Sequence, residues 1–351
     1  MLAQLCKVLT QTGNPPVVLS LPDGTRLLVL PRGGRLLGLF PPGSEANFLW
    51  TNPALASPSQ AAAYLRTAAW PNPGGDRTWV APELGLFVSD PVRPFDTYRV
   101  PPALDPGAWQ VETGTADRVT LCLQAELTVF RPQARVRVSI TRICGPTANP
   151  LGGELPAGVS CAGYQQQTAM EVEPARGPGT PRVGLGLWHL LQLPQPGEML
   201  IATRQQTPPT VVFGPAGQEA FAVEPQLLRW RMDGGLPVAK IAVAAAALTG
   251  RAGYLWEAPP GTYQLVVRQF RVDPTAQYID PLWDPPHRTG FAFQACRVLL
   301  GSECFNELEY HAPAVWNRAA ENRCQDESHV WAFRGPEEAI RKVAAHLLGA
   351  A

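Results

Sequence analysis

Near its C-terminal end the chain runs Phe305-Asn306-Glu307-Leu308-Glu309-Tyr310-His311-Ala312-Pro313, with acidic and imidazole side chains at alternate positions. Alternate side chains of a strand share a face, so Glu307, Glu309 and His311 are expected side by side, neighbours about 6–7 Å apart. A carboxylate and an imidazole so placed can trade protons with a bound molecule, one as general base and the other as general acid. A carboxylate in an otherwise apolar strand must in any case be paired or functional, because burying it alone is costly. The same trio could in principle bind a divalent ion, but no H-x-x-x-H or H-E-x-x-H pair accompanies it, and no metal is expected.

A second polar stretch is Trp70-Pro71-Asn72-Pro73-Gly74-Gly75-Asp76-Arg77-Thr78-Trp79-Val80-Ala81-Pro82-Glu83. Paired glycines let a backbone approach a ligand closely, Asp76, Arg77 and Glu83 offer planar hydrogen-bonding groups, and Trp79 offers a flat apolar face. Sugars call for that mixture, since their hydroxyl pairs take bidentate contacts while their C–H face stacks on an aromatic ring. The plainer alternative is a tight loop in which Asp76 and Arg77 pair with each other and the tryptophans belong to the core. Farther on, Arg268-Gln269-Phe270-Arg271 alternates, so its two arginines point opposite ways and one is expected at the cleft. The row Tyr278-Ile279-Asp280-Pro281-Leu282-Trp283-Asp284 reads equally as an aromatic-carboxylate rim or as a Pro-broken surface loop.

Five histidines allow the candidate acids to be enumerated. His311 shares the presumed face of Glu309 and could protonate a ligand or orient the carboxylate. His189 lies at mid-chain in an apolar run, where the alternative is a buried imidazole satisfied by backbone. His287 sits in a Pro-rich loop that could reach a sheet mouth, whereas His329 and His346 suit solvated or capping roles. Seven cysteines are scattered without C-x-x-C spacing and read as reduced, mostly buried thiols. There is no G-x-S-x-G elbow and no Gly-rich phosphate loop followed by a helix, so serine-nucleophile, hydride-transfer and phosphoryl-transfer chemistry lack support and no cofactor is implied.

The elements that must position these groups are β-strands. With 38 prolines and 32 glycines, about a fifth of the chain against a usual share of about 12%, long helices are excluded from most of it. Between the breakers lie short apolar or alternating runs: Val17–Leu21, Arg26–Pro31, Arg35–Phe40, Val119–Phe130, Arg135–Ile143, Val183–Leu193, Glu198–Thr203, Val238–Ala247, Gly253–Glu257, Tyr263–Asp273 and Ala292–Leu299. Runs of this length separated by turn signals predict an all-β antiparallel sandwich. Helices are expected over Ser57–Ala69 and over about 335–348, where Pro336 suits the first helical position and Ile340, Val343 and Leu347 recur at helical spacing. Gly-Pro-rich stretches at 145–159 and 174–182 read as surface loops, and with no repeat or linker residues 1–351 are expected to form one domain.

Lys+Arg and Asp+Glu are equal at 29 each, and no basic run stands out, which argues against a nucleic-acid partner. No apolar run of about 18 residues predicts a membrane span, and the opening MLAQLCKVLTQTG lacks the plan of a signal peptide. The expectation is a soluble cytoplasmic protein with a small neutral partner.

The chain resembles the galactose mutarotase-like (aldose 1-epimerase-like) superfamily at four places in order: Gly33-Gly34-Arg35-Leu36-Leu37-Gly38-Leu39 leading to Asn47-Phe48-Leu49-Trp50-Thr51-Asn52-Pro53; the Trp70–Glu83 stretch, where those proteins place a Gly-rich substrate loop; Leu187-Trp188-His189-Leu190-Leu191-Gln192-Leu193; and Leu308-Glu309. The resemblance is nearest to a bacterial branch and implies a supersandwich of two large antiparallel sheets, one concave and carrying the site. It implies a carbohydrate ligand and an isomerase that opens and recloses a sugar ring at the anomeric centre. Glu309 corresponds to the family's base and His189 to its acid, although Trp188 replaces an expected Asn and the spacing departs by one residue. Asp76, Arg77, Trp79, Glu83, Arg268 and Glu307 are the residues expected to hold the sugar. The other readings are a non-catalytic carbohydrate-binding protein and a lyase or hydrolase on the same sandwich, which fold alone does not separate.

Overall fold

The structure, a computed structural model, describes residues 1–67, 70–175, 177, 179–279, 290–301 and 303–349. In chain order the strands are β1 (Val17–Ser20), β2 (Arg26–Leu30), β3 (Arg35–Phe40), β4 (Asp76–Ala81), β5 (Gln110–Gly114), β6 (Val119–Val129), β7 (Ala134–Gly145), β8 (Ser160–Val172), β9 (Gly184–Pro194) and β10 (Gly197–Thr203). They continue as β11 (Thr210–Phe213), β12 (Phe221–Val223), β13 (Leu227–Met232), β14 (Ala239–Ala244), β15 (Leu248–Glu257), β16 (Thr262–Phe270), β17 (Phe291–Leu300), β18 (Glu303–His311), β19 (Val315–Trp316) and β20 (Arg323–Pro336). The helices are α1 (Leu2–Gln11), α2 (Pro58–Thr67), α3 (Glu83–Phe87), α4 (Pro94–Thr97) and α5 (Glu337–Leu348).

Two ten-stranded antiparallel sheets face each other. The first runs β1-β2-β3-β4-β9-β18-β17-β14-β11, with β19 also on β9; the second runs β12-β13-β10-β15-β16-β20-β8-β7-β6-β5. Strand β6 shows how the sequence builds the layer between them: Val119, Leu121, Leu123, Ala125, Leu127 and Val129 are buried, while Gln124, Glu126 and Thr128 between them are exposed. Strands β4, β9 and β18 differ, being buried on both faces. The first sheet therefore has a second covered face, turned away from its partner sheet, and α3 is part of that cover: Phe87 packs on Trp79 and Trp188 with ring centroids 5.0 and 6.0 Å apart.

The helices close the remaining apolar surfaces. Helix α5 lays Ile340, Val343, Ala344, Leu347 and Leu348 on Leu200, Leu255, Leu265, Val267 and Phe333 of the second sheet, each large aliphatic side chain contributing about 1.5–3 kcal/mol when fully buried. Pro336 is its N-cap rather than its first helical residue, and Gly349 ends it in the left-handed region at φ 73°. Helix α1, not anticipated from the sequence, packs Leu2, Leu5, Val8 and Leu9 against Leu28, Leu30, Leu37 and Phe40. The helix expected over Ser57–Ala69 is α2, preceded by a 3-10 turn over Pro53–Ala56.

The Trp70–Glu83 stretch departs from the expected loop: Asp76–Ala81 is strand β4, and Glu83 opens α3. Its paired glycines lie against neighbouring backbone. At φ 105° and 80°, Cβ atoms on Gly74 and Gly75 would strike the carbonyls of Trp50 and Leu36, so the close approach they permit is to the chain's own backbone.

Candidate functional site

Strand β18 divides its side chains cleanly. Asn306 donates to Tyr254 Oη of the second sheet at 2.6 Å and the Tyr310 hydroxyl donates to Asp326 at 2.5 Å, so the even-numbered residues face the interior. Glu307, Glu309 and His311 face the other way, where the register sets Gln192 and Cys296 beside Glu307, Gln294 beside Glu309, and Trp188 beside His311. On β4, Arg77 and Trp79 share this outer face, with Arg77 Nη2 donating to Glu307 Oε1 at 2.8 Å and its guanidinium lying 4.1 Å from the Trp79 ring centroid.

Around Glu309 the contacts are close. Glu309 Oε2 accepts from Trp188 Nε1 at 2.8 Å and lies 3.1 Å from Lys240 Nζ. Lys240 also reaches Glu83 Oε2 at 3.1 Å and lies 4.6 Å from the Trp188 ring centroid. The Tyr98 hydroxyl donates to Glu83 Oε1 at 2.9 Å. His311 stacks on the Trp188 ring with centroids 5.6 Å apart and planes tilted by 16°. At the far side, Asp105 accepts from Trp79 Nε1 at 3.0 Å and from Arg35 at 2.6 Å, fixing the indole.

Three residues expected at the cleft lie on the opposite face. Asp76 is between the sheets, 3.1 Å from Arg142 Nη2 and 3.3 Å from Arg268 Nη1, and it also accepts from the Tyr164 hydroxyl. Arg268, the expected cleft arginine, belongs to the same interior cluster and bonds Gln166 and Ser328, while Arg271 is exposed. His189 pairs directly with Tyr310 across β9 and β18 and stacks on it at 4.6 Å, so it too faces inward. Its Nδ1 accepts from Gln166 Nε2 at 2.8 Å and lies 3.0 Å from Thr78 Oγ1, while Nε2 lies 3.4 Å from Asp326. The sheet itself separates His189 from Glu309. A residue slip of one position decides such a placement, because successive side chains alternate.

His329 bonds Thr147 and stacks on Trp331 away from this face, and His346 lies in the last turn of α5. His287 and the Asp280–Asp284 part of the expected rim lie outside the described residues.

No protein-family model matches the sequence, nor does any curated protein. Among solved structures, a Klebsiella pneumoniae protein assigned as an aldose 1-epimerase superposes over 93% of this chain and 81% of its own, with TM-score 0.51 at 9% identity. A galactose 1-epimerase from Lactobacillus acidophilus aligns over 91% of this chain and 93% of its own, with TM-score 0.44 at 8% identity. The chain has a galactose mutarotase-like fold.

In this mutarotase-like sandwich the outer face of the first sheet is electrostatically unusual. Burial pushes Glu309 up to about 8; Lys240 opposes the rise, and Glu307 and Glu83 add to it. Burial, then the Lys240 charge, holds His311 well below its ordinary 6.5. Burial beside Glu309 and Glu307 drives the Cys296 thiol well above 9. Cys296, Glu307 and Glu309 bring ligand-type atoms within 4.8 Å of one another. Arg77 and Lys240 already neutralise the two carboxylates, so we read the trio as part of an ion-paired cluster and not as a metal centre. Two open grooves of about 540 and 390 Å³ involve the second sheet, along Gln124, Arg137 and Glu171 and beside Trp331, and touch none of these groups. The chemistry is concentrated on the buried face, which carries more weight than groove size.

Sequence reasoning missed Lys240, Trp188, Gln192, Tyr98 and Asp105. Lys240 is the single charge in the run Val238–Ala247, a signal that was there to be used. Trp188 and Gln192 alternate with His189 and Leu191 on β9, so attention to His189 hid the neighbours that face the site.

Proposed function

We propose that this protein binds a carbohydrate on the outer face of its first sheet and acts there as an aldose 1-epimerase-like isomerase. One observation carries the reading. Glu309 Oε1, Gln192 Oε1, and Nε and Nη1 of Arg77 are buried on this face without hydrogen-bond partners among the described residues, with Arg77 over the Trp79 ring and Glu309 bonded to Trp188. Buried polar atoms are normally satisfied, so an acceptor carboxylate, an amide oxygen and a guanidinium left open beside aromatic rings call for a polyhydroxylated ligand.

Mutarotation needs a base for the anomeric hydroxyl and an acid for the ring oxygen. Glu309 fills the first role, with Oε2 held by Trp188 and Lys240 and Oε1 turned to the ligand. Arg77, Glu307, Gln192 and Glu83 surround the sugar's hydroxyls, and Trp79 meets its apolar face. The acid comes from the face of Glu309 itself, where His311 and Lys240 stand. The same reading places the protein in the cytoplasm, where its seven free cysteines stay reduced.

The enclosure of His189 favours a second reading, a carbohydrate-binding protein without catalysis. Saturation-transfer NMR between the α and β anomers of glucose and galactose separates the two. Exchange that is accelerated by wild-type protein and lost in Glu309→Gln supports the isomerase. Saturable shift changes without acceleration support the binding protein, and neither response from a wide aldose panel rejects both.

A further inference from the structure

The proton donor of this site is open once His189 is seen to face the interior. Among the described residues, His311 and Lys240 are candidate donors on the face of Glu309. His311, two residues along β18 from Glu309, stacks on the Trp188 ring that holds the carboxylate, and burial beside an ammonium disfavours the charged imidazolium, the form that carries the proton an acid must give. Lys240 is in direct contact with the carboxylate at 3.1 Å, is 2% exposed, and is held in place from its other side by Glu83, itself fixed by Tyr98.

Resting on the isomerase reading above, we infer that Lys240 is the acid that works with Glu309, protonating the ring oxygen while the carboxylate takes the anomeric proton. The two oxygens of a cyclic hemiacetal are bonded to the same carbon. An acid and a base in contact with each other can therefore reach both at once.

The step balances within the site. Glu309 Oε1 takes the proton of the anomeric hydroxyl as the carbon–oxygen double bond forms. The bond from the anomeric carbon to the ring oxygen breaks, its electron pair goes to the ring oxygen, and that oxygen takes a proton from Lys240 Nζ. An ammonium–carboxylate pair becomes an amine and a carboxylic acid, and the net charge does not change. Rotation about the adjacent carbon–carbon bond turns the other face of the aldehyde to the ring hydroxyl, and the reverse transfers close the ring and restore the ion pair. Burial favours this chemistry, because a desolvated ion pair loses little by collapsing to its neutral form. The groups facing the pair are Glu83 from α3, Trp188 from β9, Cys296 from β17, and Glu307 and His311 from β18.

Arginine tests the inference directly, since it keeps the positive charge but does not give up a proton near neutral pH. With an aldose that wild-type protein exchanges, Lys240→Arg is expected to lose roughly a hundredfold or more in anomer exchange, the contribution usual for a general acid. Sugar affinity, read from chemical-shift titration, should change less than about tenfold, and thermal melting should show the folded state retained. His311→Asn should keep at least about a tenth of the wild-type rate. Should Arg not be accommodated, Lys240→Ala with added ethylammonium replaces it: exchange that rises with amine concentration supports Lys240 as donor. Lys240→Arg exchanging within about tenfold of wild type, or a Lys240→Ala protein that is folded, inactive and indifferent to amine, overturns the assignment while leaving the isomerase reading intact. Wild-type protein that binds sugars without accelerating exchange overturns both, so the two failures are told apart.

Discussion

Trp188 Nε1 donates to Glu309 Oε2 at 2.8 Å, and the same oxygen meets the Lys240 ammonium at 3.1 Å. One edge of the carboxylate is thus tied down by a neutral donor and a cation, while Oε1 has no hydrogen-bond partner among the described residues. The same two contacts orient the buried carboxylate and favour its charged form.

The pH dependence of anomer exchange should report this arrangement. As the proposed base, Glu309 must be deprotonated to act, so the rate should rise with pH through a limb near the value of about 8 to which burial lifts it. Hydrogen bonding to the carboxylate form lowers a pKa. Trp188→Phe removes such a bond and should move the limb to higher pH, whereas Glu83→Gln removes a neighbouring negative charge and should move it lower. A limb that stays in place in both variants would show that the carboxylate is not the titrating base.

Stability should follow the buried histidines on the acid side. Burial lowers His189 and, more strongly, His311, so the unfolded chain takes up protons near 6.5 that the folded protein refuses. Stability is then present above about 6.5 and lost as pH falls, by up to roughly 1.4 kcal/mol per pH unit for each histidine. Glu309 has the opposite sign: its folded-state value is raised from 4.5 to about 8, and its contribution is lost as pH rises through that window. Urea unfolding at pH 5 to 6.5 should therefore show a slope that is flattened by His311→Asn and steepened by Glu309→Gln.

Asp76 anchors the interior cluster against Arg142 and Arg268. Asp76→Asn leaves two buried guanidiniums without their common anion and should cost about 3–5 kcal/mol in urea or thermal unfolding. Unfolding no easier than wild type would show that the ionic cluster contributes little to holding the sheets together.

Arg77, its neighbour in the chain, should behave differently. Arg77→Lys keeps the charge beside Glu307 but loses the planar fork and the stacking on Trp79, and should weaken sugar binding by about tenfold or more with a small effect on melting. The tryptophan emission change on sugar addition, which Trp79 and Trp188 should dominate, gives the affinity. Unchanged affinity would place the ligand elsewhere.

Much of the strand pattern was legible because Pro and Gly punctuate it. Arg35–Phe40 is observed as expected, and Val119–Phe130 and Glu198–Thr203 differ from strands β6 and β10 by one residue. The long strand β20 escaped notice because Arg323-Cys324-Gln325-Asp326-Glu327-Ser328 reads as polar loop. It is a strand because it lies between β16 and β8, which supply partners for its backbone. The shared face of Glu307, Glu309 and His311 followed from period-two geometry within one strand. What sequence did not disclose was which face each neighbouring strand turns to the same side. That depends on inter-strand register, and it is why Asp76, Arg268 and His189 were expected with Glu309 and lie behind the sheet instead.

Strands that are buried on both faces carry two messages in alternating letters. On β4, β9 and β18 one set of positions, including Thr78, His189 and Tyr310, holds the sheets together, and the interleaved set, including Arg77, Trp188 and Glu309, forms the outer-face cluster proposed to meet a ligand. Point substitutions can rewrite the second message and leave the first intact, so ligand choice is free to drift while foldability is conserved. Gain or loss of a single residue within these strands would garble both together, and such changes should accumulate instead in the turns that connect them.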